Sequence, residues 1–253
     1  MAEKKQEYKF PTETVDLPSG GNGYAEDSLL KSGKIELKYM TAKEEDILTS
    51  QNLIKKGVVI DKLINSLIVT KDITVDDLLI GDKNAVMVAA RILAYGGDYT
   101  VEVTNPNTGE TQTETFDLTA CQFKELPEDM DYSKNEFEME LPISKINITY
   151  KLLSGRDETI IDRELKSLQK IGKNAEVTTR LKHVITSVNG DNSKQVISTF
   201  VDNMLSKESL YLREKIQKIN PDINLTQEVD FGGDSTEVDI PMTVEFFWPK
   251  AGA

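Results

Sequence analysis

Two clusters of carboxylates are the first residues of this sequence that could carry chemistry. Glu44, Glu45 and Asp46 stand side by side in "MTAKEEDILTSQNLIKKG" (residues 40–57), and Asp157, Glu158, Asp162 and Glu164 share "SGRDETIIDRE" with Arg156 and Arg163. Carboxylates act as acid and base, or hold a metal, only where they converge, on a helix at i, i+3 or i+4. Three consecutive acids point in three directions around a helix, so the first cluster does not converge. It fits a helix start instead: Thr41 and Glu44 are spaced as a capping box and the acids fill the first turn. Lys55 and Lys56 fill the last turn, and Gly57 can take the left-handed conformation that closes a helix. The second cluster offers Asp157 with Asp162, or Glu158 with Asp162, as a glycosidase-like pair. The preferred reading is a helical first turn with i, i+4 ion pairs.

Other reactive side chains are scarce. One cysteine, Cys121, and one histidine, His183, supply neither a zinc site nor a Ser-His or Cys-His triad. Cys121 reads as a small buried apolar residue. His183 reads as a helix-surface residue, because Val177, Leu181, Val184, Ile185 and Val188 around it recur at helical spacing and predict a helix running to the turn "NGD". "SGGNG" lacks the preceding strand, the following helix and the Lys-Ser/Thr of a phosphate loop. No cofactor, no metal and no catalysis are expected.

The 253 residues are 29% charged and 38% hydrophobic, which predicts a soluble globular chain with a substantial core. A net charge of −13 argues against nucleic-acid binding, and no apolar run approaches the roughly 20 residues that span a membrane. "MAEKKQEYKF" has no apolar signal core, so the protein is expected to stay where it is made.

The elements that must position these residues follow from periodicity and punctuation. Residues 1–40 read as a Gly- and Pro-rich arm ending in the strand "KIELKYM". A helical block spans 41–97: the Thr41 helix, a buried helix in "VVIDKLINSLIV", a unit capped by Thr74 with Asp76 and Asp77, and a helix from about Lys83 to Ala94 closed by Gly96 and Gly97. Residues 98–153 alternate on both sides of "NPNTGE", which predicts a β-hairpin. An acidic connection and a strand with Ile146, Ile148 and Tyr150 on one face follow. A second helical block occupies 154–221, with Ile161, Leu165 and Leu168 as its first stripe. In 222–253, Val238, Ile240, Met242, Val244 and Phe246 alternate with polar residues as a strand that Pro241 confines to an edge or an arm. The fold class is α+β: two mainly helical blocks joined by a central hairpin and strand region, with extended N- and C-terminal arms.

One local feature is left over. "EFFWPK" crowds Phe246, Phe247, Trp248 and Pro249 near the C-terminus. On a strand, adjacent aromatics face opposite ways, so Phe246 and Phe247 should not share one small core. Either the segment is buried in its own chain or it is a partner-binding anchor.

Taken together, "MTAKEEDILTSQNLIKKG", "DLLIGDKNAVMVAARILAYGGDY", "LLSGRDETIIDRELKSL", "VTTRLKHVITSVNGD" and "FFWP" resemble the baseplate hub family of T-even-type contractile-tail phages, from about residue 15 to 249. The resemblance implies a non-enzymatic structural protein contributing to the central hub of the baseplate and to its assembly. The alternative is a transient hub-assembly chaperone absent from the mature virion. The implied partners are other baseplate, hub and tail proteins, with room for a homo-oligomer within the assembly, and no nucleic acid or membrane. The implied location is the virion's tail baseplate, assembled in the host cytoplasm. Relatives are expected to carry a CPxCG-like knuckle in the central hairpin, where this sequence has "NPNTG", with Asn105 and Asn107 in place of thiols.

Overall fold

A computed structural model describes residues 11–233 and 235–248. Strand β1 (Thr12–Asp16) pairs antiparallel with β2 (Lys34–Lys38), Val15 opposite Ile35. The loop between them is pressed onto the body, and Leu17, Ser19, Tyr24 and Leu30 are buried. The single helix expected from Thr41 to Gly57 is two, α1 (Ala42–Leu48) and α2 (Gln51–Lys56). The break falls at Thr49 and Ser50. The Thr49 hydroxyl donates back to the Asp46 carbonyl (3.1 Å), and Ser50 turns the backbone extended, the competition with helical bonding that these residues favour. The predicted ends hold: Glu44 reaches back to the Thr41 N–H (3.0 Å), and Gly57 is left-handed.

Helix α3 (Val59–Leu67) buries Val59, Leu63, Ile64 and Leu67. A 3-10 turn at Val75–Asp77, where Asp77 accepts from the Thr74 N–H (3.0 Å), leads into α4 (Ile80–Tyr95), which ends at Gly96. The predicted hairpin is β3 (Asp98–Thr104) with β4 (Thr111–Asp117), paired from Asp98–Asp117 to Thr104–Thr111. The acidic connection hides a short strand, β5 (Phe137–Glu140). It pairs with β6 (Asn147–Tyr150) through a buried Phe137 set opposite Tyr150.

Helix α5 (Gly155–Lys170) opens the second block, and α6 (Glu176–Val184) follows. The helix expected through residue 188 stops at Val184. Residues Ile185–Val188 form β7, which pairs with the other side of β6, Ile148 opposite Val188. Ile185, Thr186 and Val188 are β-branched and suit a strand, and β6 offers a free edge. Next come α7 (Lys194–Asp202), α8 (Ser206–Ile219), and the hairpin of β8 (Thr226–Asp230) with β9 (Ser235–Asp239). The strand expected to run on through Phe246 ends early. Ile240 makes the last backbone bond across the hairpin, to the Leu225 carbonyl (2.9 Å). Pro241 has no N–H to offer, and Val244–Phe247 coils into a 3-10 turn.

The helical blocks meet at their helix starts. Ile80 N–H donates to Leu153 O (3.1 Å) and Gly155 N–H to Leu78 O (2.8 Å), bridging Leu79 and Ser154. There is no room for side chains here. A Cβ on Gly81 would overlap the Pro221 carbonyl oxygen, and one on Gly155 the Val75 carbonyl oxygen. Leu37, Val86, Ile148, Leu212 and Phe247, drawn from end to end of the chain, belong to one contiguous apolar cluster. The fold is mixed α+β, with several small antiparallel sheets set among the helices.

Candidate docking site

The second carboxylate cluster is dispersed among separate partners. Asp157 caps α5, accepting from Ser154 N–H (2.9 Å) and Oγ (2.9 Å), and also takes the Lys151 ammonium (2.7 Å). Burial alone would raise its carboxyl, but Lys151 and Ser154 outweigh burial and hold it below the usual carboxylate range. An acid held ionised is in the wrong state to donate a proton. Glu158 binds Arg180 (2.6 Å), Arg156 binds Asp77 (3.0 Å), and Glu164 meets His183 (3.2 Å). These pairs tie α5 to α6 and to the 3-10 turn at Val75–Asp77, where i, i+4 pairs along α5 were expected. Asp162 is exposed. In the first cluster Glu44 is buried against Lys38 (2.8 Å), which with Thr41 lowers its carboxyl although burial opposes this. Burial pushes the Cys121 thiol up, away from the thiolate form a nucleophile needs.

Sequence reasoning missed the most buried polar network. Asp82, in the first turn of α4, is fully buried and accepts from Ser19 N–H (2.9 Å), Ser19 Oγ (2.7 Å) and Tyr24 Oη (2.6 Å). Tyr24 Oη in turn accepts from Leu79 N–H (2.8 Å). Burial raises both the Asp82 carboxyl and the Tyr24 hydroxyl. The network pins the Gly-rich loop to the helix start. Its signal in the sequence was an acid at a helix start, which names no distant partner. Glu208 was missed likewise: in the first turn of α8 it accepts from Ile143 N–H (3.0 Å) and Ser144 N–H (2.7 Å).

At the C-terminal end, Phe246 and Phe247 are both fully buried, against the expectation from strand geometry. A 3-10 turn advances about a third of a turn per residue, so neighbours need not face opposite ways. Phe246 packs edge-on to Phe247 (5.1 Å between centroids) and to Tyr99 of β3 (4.9 Å), and the Arg91 guanidinium lies over the Tyr99 ring (5.8 Å). The Tyr99 hydroxyl reaches the Pro241 carbonyl (3.2 Å). Trp248 is 44% exposed, and Pro249 lies outside the described residues. Two of the four residues thus belong to the chain's own core, and the tryptophan is partly exposed.

The hairpin tip "NPNTG" is closed by an amide. Asn105 Oδ1 accepts from Asn107 N–H (2.8 Å) and Thr108 N–H (3.2 Å), and Asn105 N–H bonds Glu110 O (2.7 Å). This Asx turn does what a knuckle would do for the loop, and its amide donors do not fit zinc. Among the described residues, no cluster of three or more His, Cys, Asp or Glu could hold a metal, and no helix is long and apolar enough to cross a membrane.

The carboxylates are thus bound into helix caps and ion pairs, and at the C-terminal end Trp248 is partly exposed. Over residues 10–248 it matches the family model described as T4 bacteriophage base plate protein. The chain belongs to that family, and is a phage baseplate protein of the T4 type, which implies a place in the virion tail beside other tail proteins. No curated protein and no solved structure matches it.

Proposed function

We propose that this chain is a non-enzymatic structural component of a contractile phage tail, built into the central hub of the baseplate and needed to assemble it in the host cytoplasm. The family match across residues 10–248 carries this reading. The engagement of Asp157 and Glu158 in structural ion pairs supports it against a hydrolase. Its partners are other hub, baseplate and tail proteins, a second copy of itself included. Docking at the C-terminal end rests on Trp248, with Phe246 and Phe247 fixing its position and Pro249 next in sequence. Mass spectrometry of purified particles tests the reading. Peptides of this chain at a fixed stoichiometry are expected, with baseplates missing when the gene is deleted. Their absence from particles that still need the gene would make the protein a transient assembly chaperone.

A further inference from the structure

An open groove of about 380 Å³ lies between α6 and α8. Its lining is apolar for a reason of spacing: Val177, Leu181 and Val184 follow one another at i, i+4 and i+7 on α6, and Ile216 of α8 and Leu153 complete it. Leu181 and Val184 are 3% and 5% exposed, whereas Val177 is 47% exposed. The floor therefore belongs to the core, and the mouth presents a bare valine.

Two arginines stand on the rim, and they differ. Arg180 is neutralised by Glu158 (2.6 Å) and Glu176 (3.5 Å). Arg213 has no carboxylate within ion-pair distance among the described residues. Its hydrogen bond runs from Nε to the Ser209 carbonyl of its own helix (3.4 Å). Arg213 thus sets a guanidinium without a carboxylate beside an apolar trough, in a chain of net charge −13. An occupant that suits both features is apolar along its length and carries one carboxylate. The overall negative charge disfavours a nucleic-acid backbone in that place.

We propose that this groove seats an apolar segment of another baseplate protein, with an Asp or Glu of that segment pairing with Arg213. The proposal rests on the reading of the chain as a baseplate component. A guanidinium can grip a carboxylate through two parallel bonds, and exclusion of water by the apolar floor strengthens the pair.

Phage lacking the gene would be complemented with Val177→Asp, Arg213→Glu or Arg213→Lys, and with the wild-type chain carrying a benzoylphenylalanine crosslinker at position 177. Both residues are exposed, so melting temperatures should match the wild type. Val177→Asp and Arg213→Glu should each lower the yield of baseplate-bearing particles about tenfold or more, and Arg213→Lys much less. Irradiation should link position 177 to an acidic-apolar segment of one other baseplate protein. Reversing that segment's carboxylate to Arg should restore Arg213→Glu. Wild-type yields from both Val177→Asp and Arg213→Glu would overturn the proposal, as would a crosslink to a second copy of this chain. If either variant melts early, the crosslinker decides: no link to another baseplate protein ends the proposal. If particles form without the gene at all, the baseplate reading beneath it fails instead.

Discussion

Single side chains in this protein are worth most where they satisfy a buried partner, and Tyr24 is the clearest case. Its hydroxyl donates to Asp82 and accepts from the Leu79 N–H. Tyr24→Phe leaves that backbone donor unpaired in the core and should cost about 1–3 kcal/mol, read as a shifted urea midpoint with an unchanged slope. A midpoint that does not move would show that the loop is held by Ser19 alone. Asp157 gives a pH dependence whose sign follows from its contacts. Its folded carboxyl lies below the ordinary 3.8, so its contribution is present above that pH and is lost as pH falls through the folded value. The gap between wild type and Asp157→Asn should therefore be about 1 kcal/mol at pH 7 and close progressively below the ordinary 3.8. Asp82 runs the other way, since burial raises its carboxyl, but it is common to both proteins and cancels in the difference. A gap that stays constant from pH 7 to pH 2.5 would refute the assignment.

At the scale of elements, the C-terminal 3-10 turn buries Phe246 and Phe247 and leaves Trp248 partly exposed. Phe246 and Phe247 fill the space beside Tyr99, and truncating either to Ala should cost about 3–5 kcal/mol. Trp248→Ala should change stability by only about 0.5 kcal/mol and act on baseplate incorporation. Equal losses of stability for all three would remove Trp248 as a docking residue. The same turn shows what the sequence could not reveal. Alternation from Val238 to Phe246 predicts one strand, yet Pro241 and the want of a further partner strand end it at Asp239. The helix expected through residue 188 failed for a related reason, because a spacing that suits a helix also let Ile185 and Val188 face the core from β7. Local rules succeeded where the signal was local: the caps at Thr41 and Thr74, the left-handed Gly57, and the hairpin around "NPNTGE". They failed where partners lie far apart in sequence, as Asp82 and Ser19 do, or Glu208 and Ser144. The groove below Arg213 was illegible for that reason, being built from two helices and a loop.

For the whole molecule, the question is whether the two helical blocks can unfold separately, and the contacts at their glycine starts say they cannot. Gly81 touches the Pro221 carbonyl, Gly155 touches the Val75 carbonyl, and Asn84 Nδ2 donates to Asp222 (3.1 Å), so each block supplies backbone that the other packs against. The apolar cluster also runs unbroken from Leu17 to Phe247. Interfaces this intimate, joined through backbone bonds and a shared core, couple their halves into one transition, where independent domains would show two. Gly81→Ala forces two backbones apart and should cost about 3 kcal/mol or more, lowering the melting temperature by about 6–12 °C for a chain of this size. Calorimetry and far-ultraviolet circular dichroism should then report one transition, moved as a whole and still coincident between the two probes. A variant melt that splits, with one transition displaced and the other left in place, would show that the blocks fold as separate units and that the Gly81 contact only docks them.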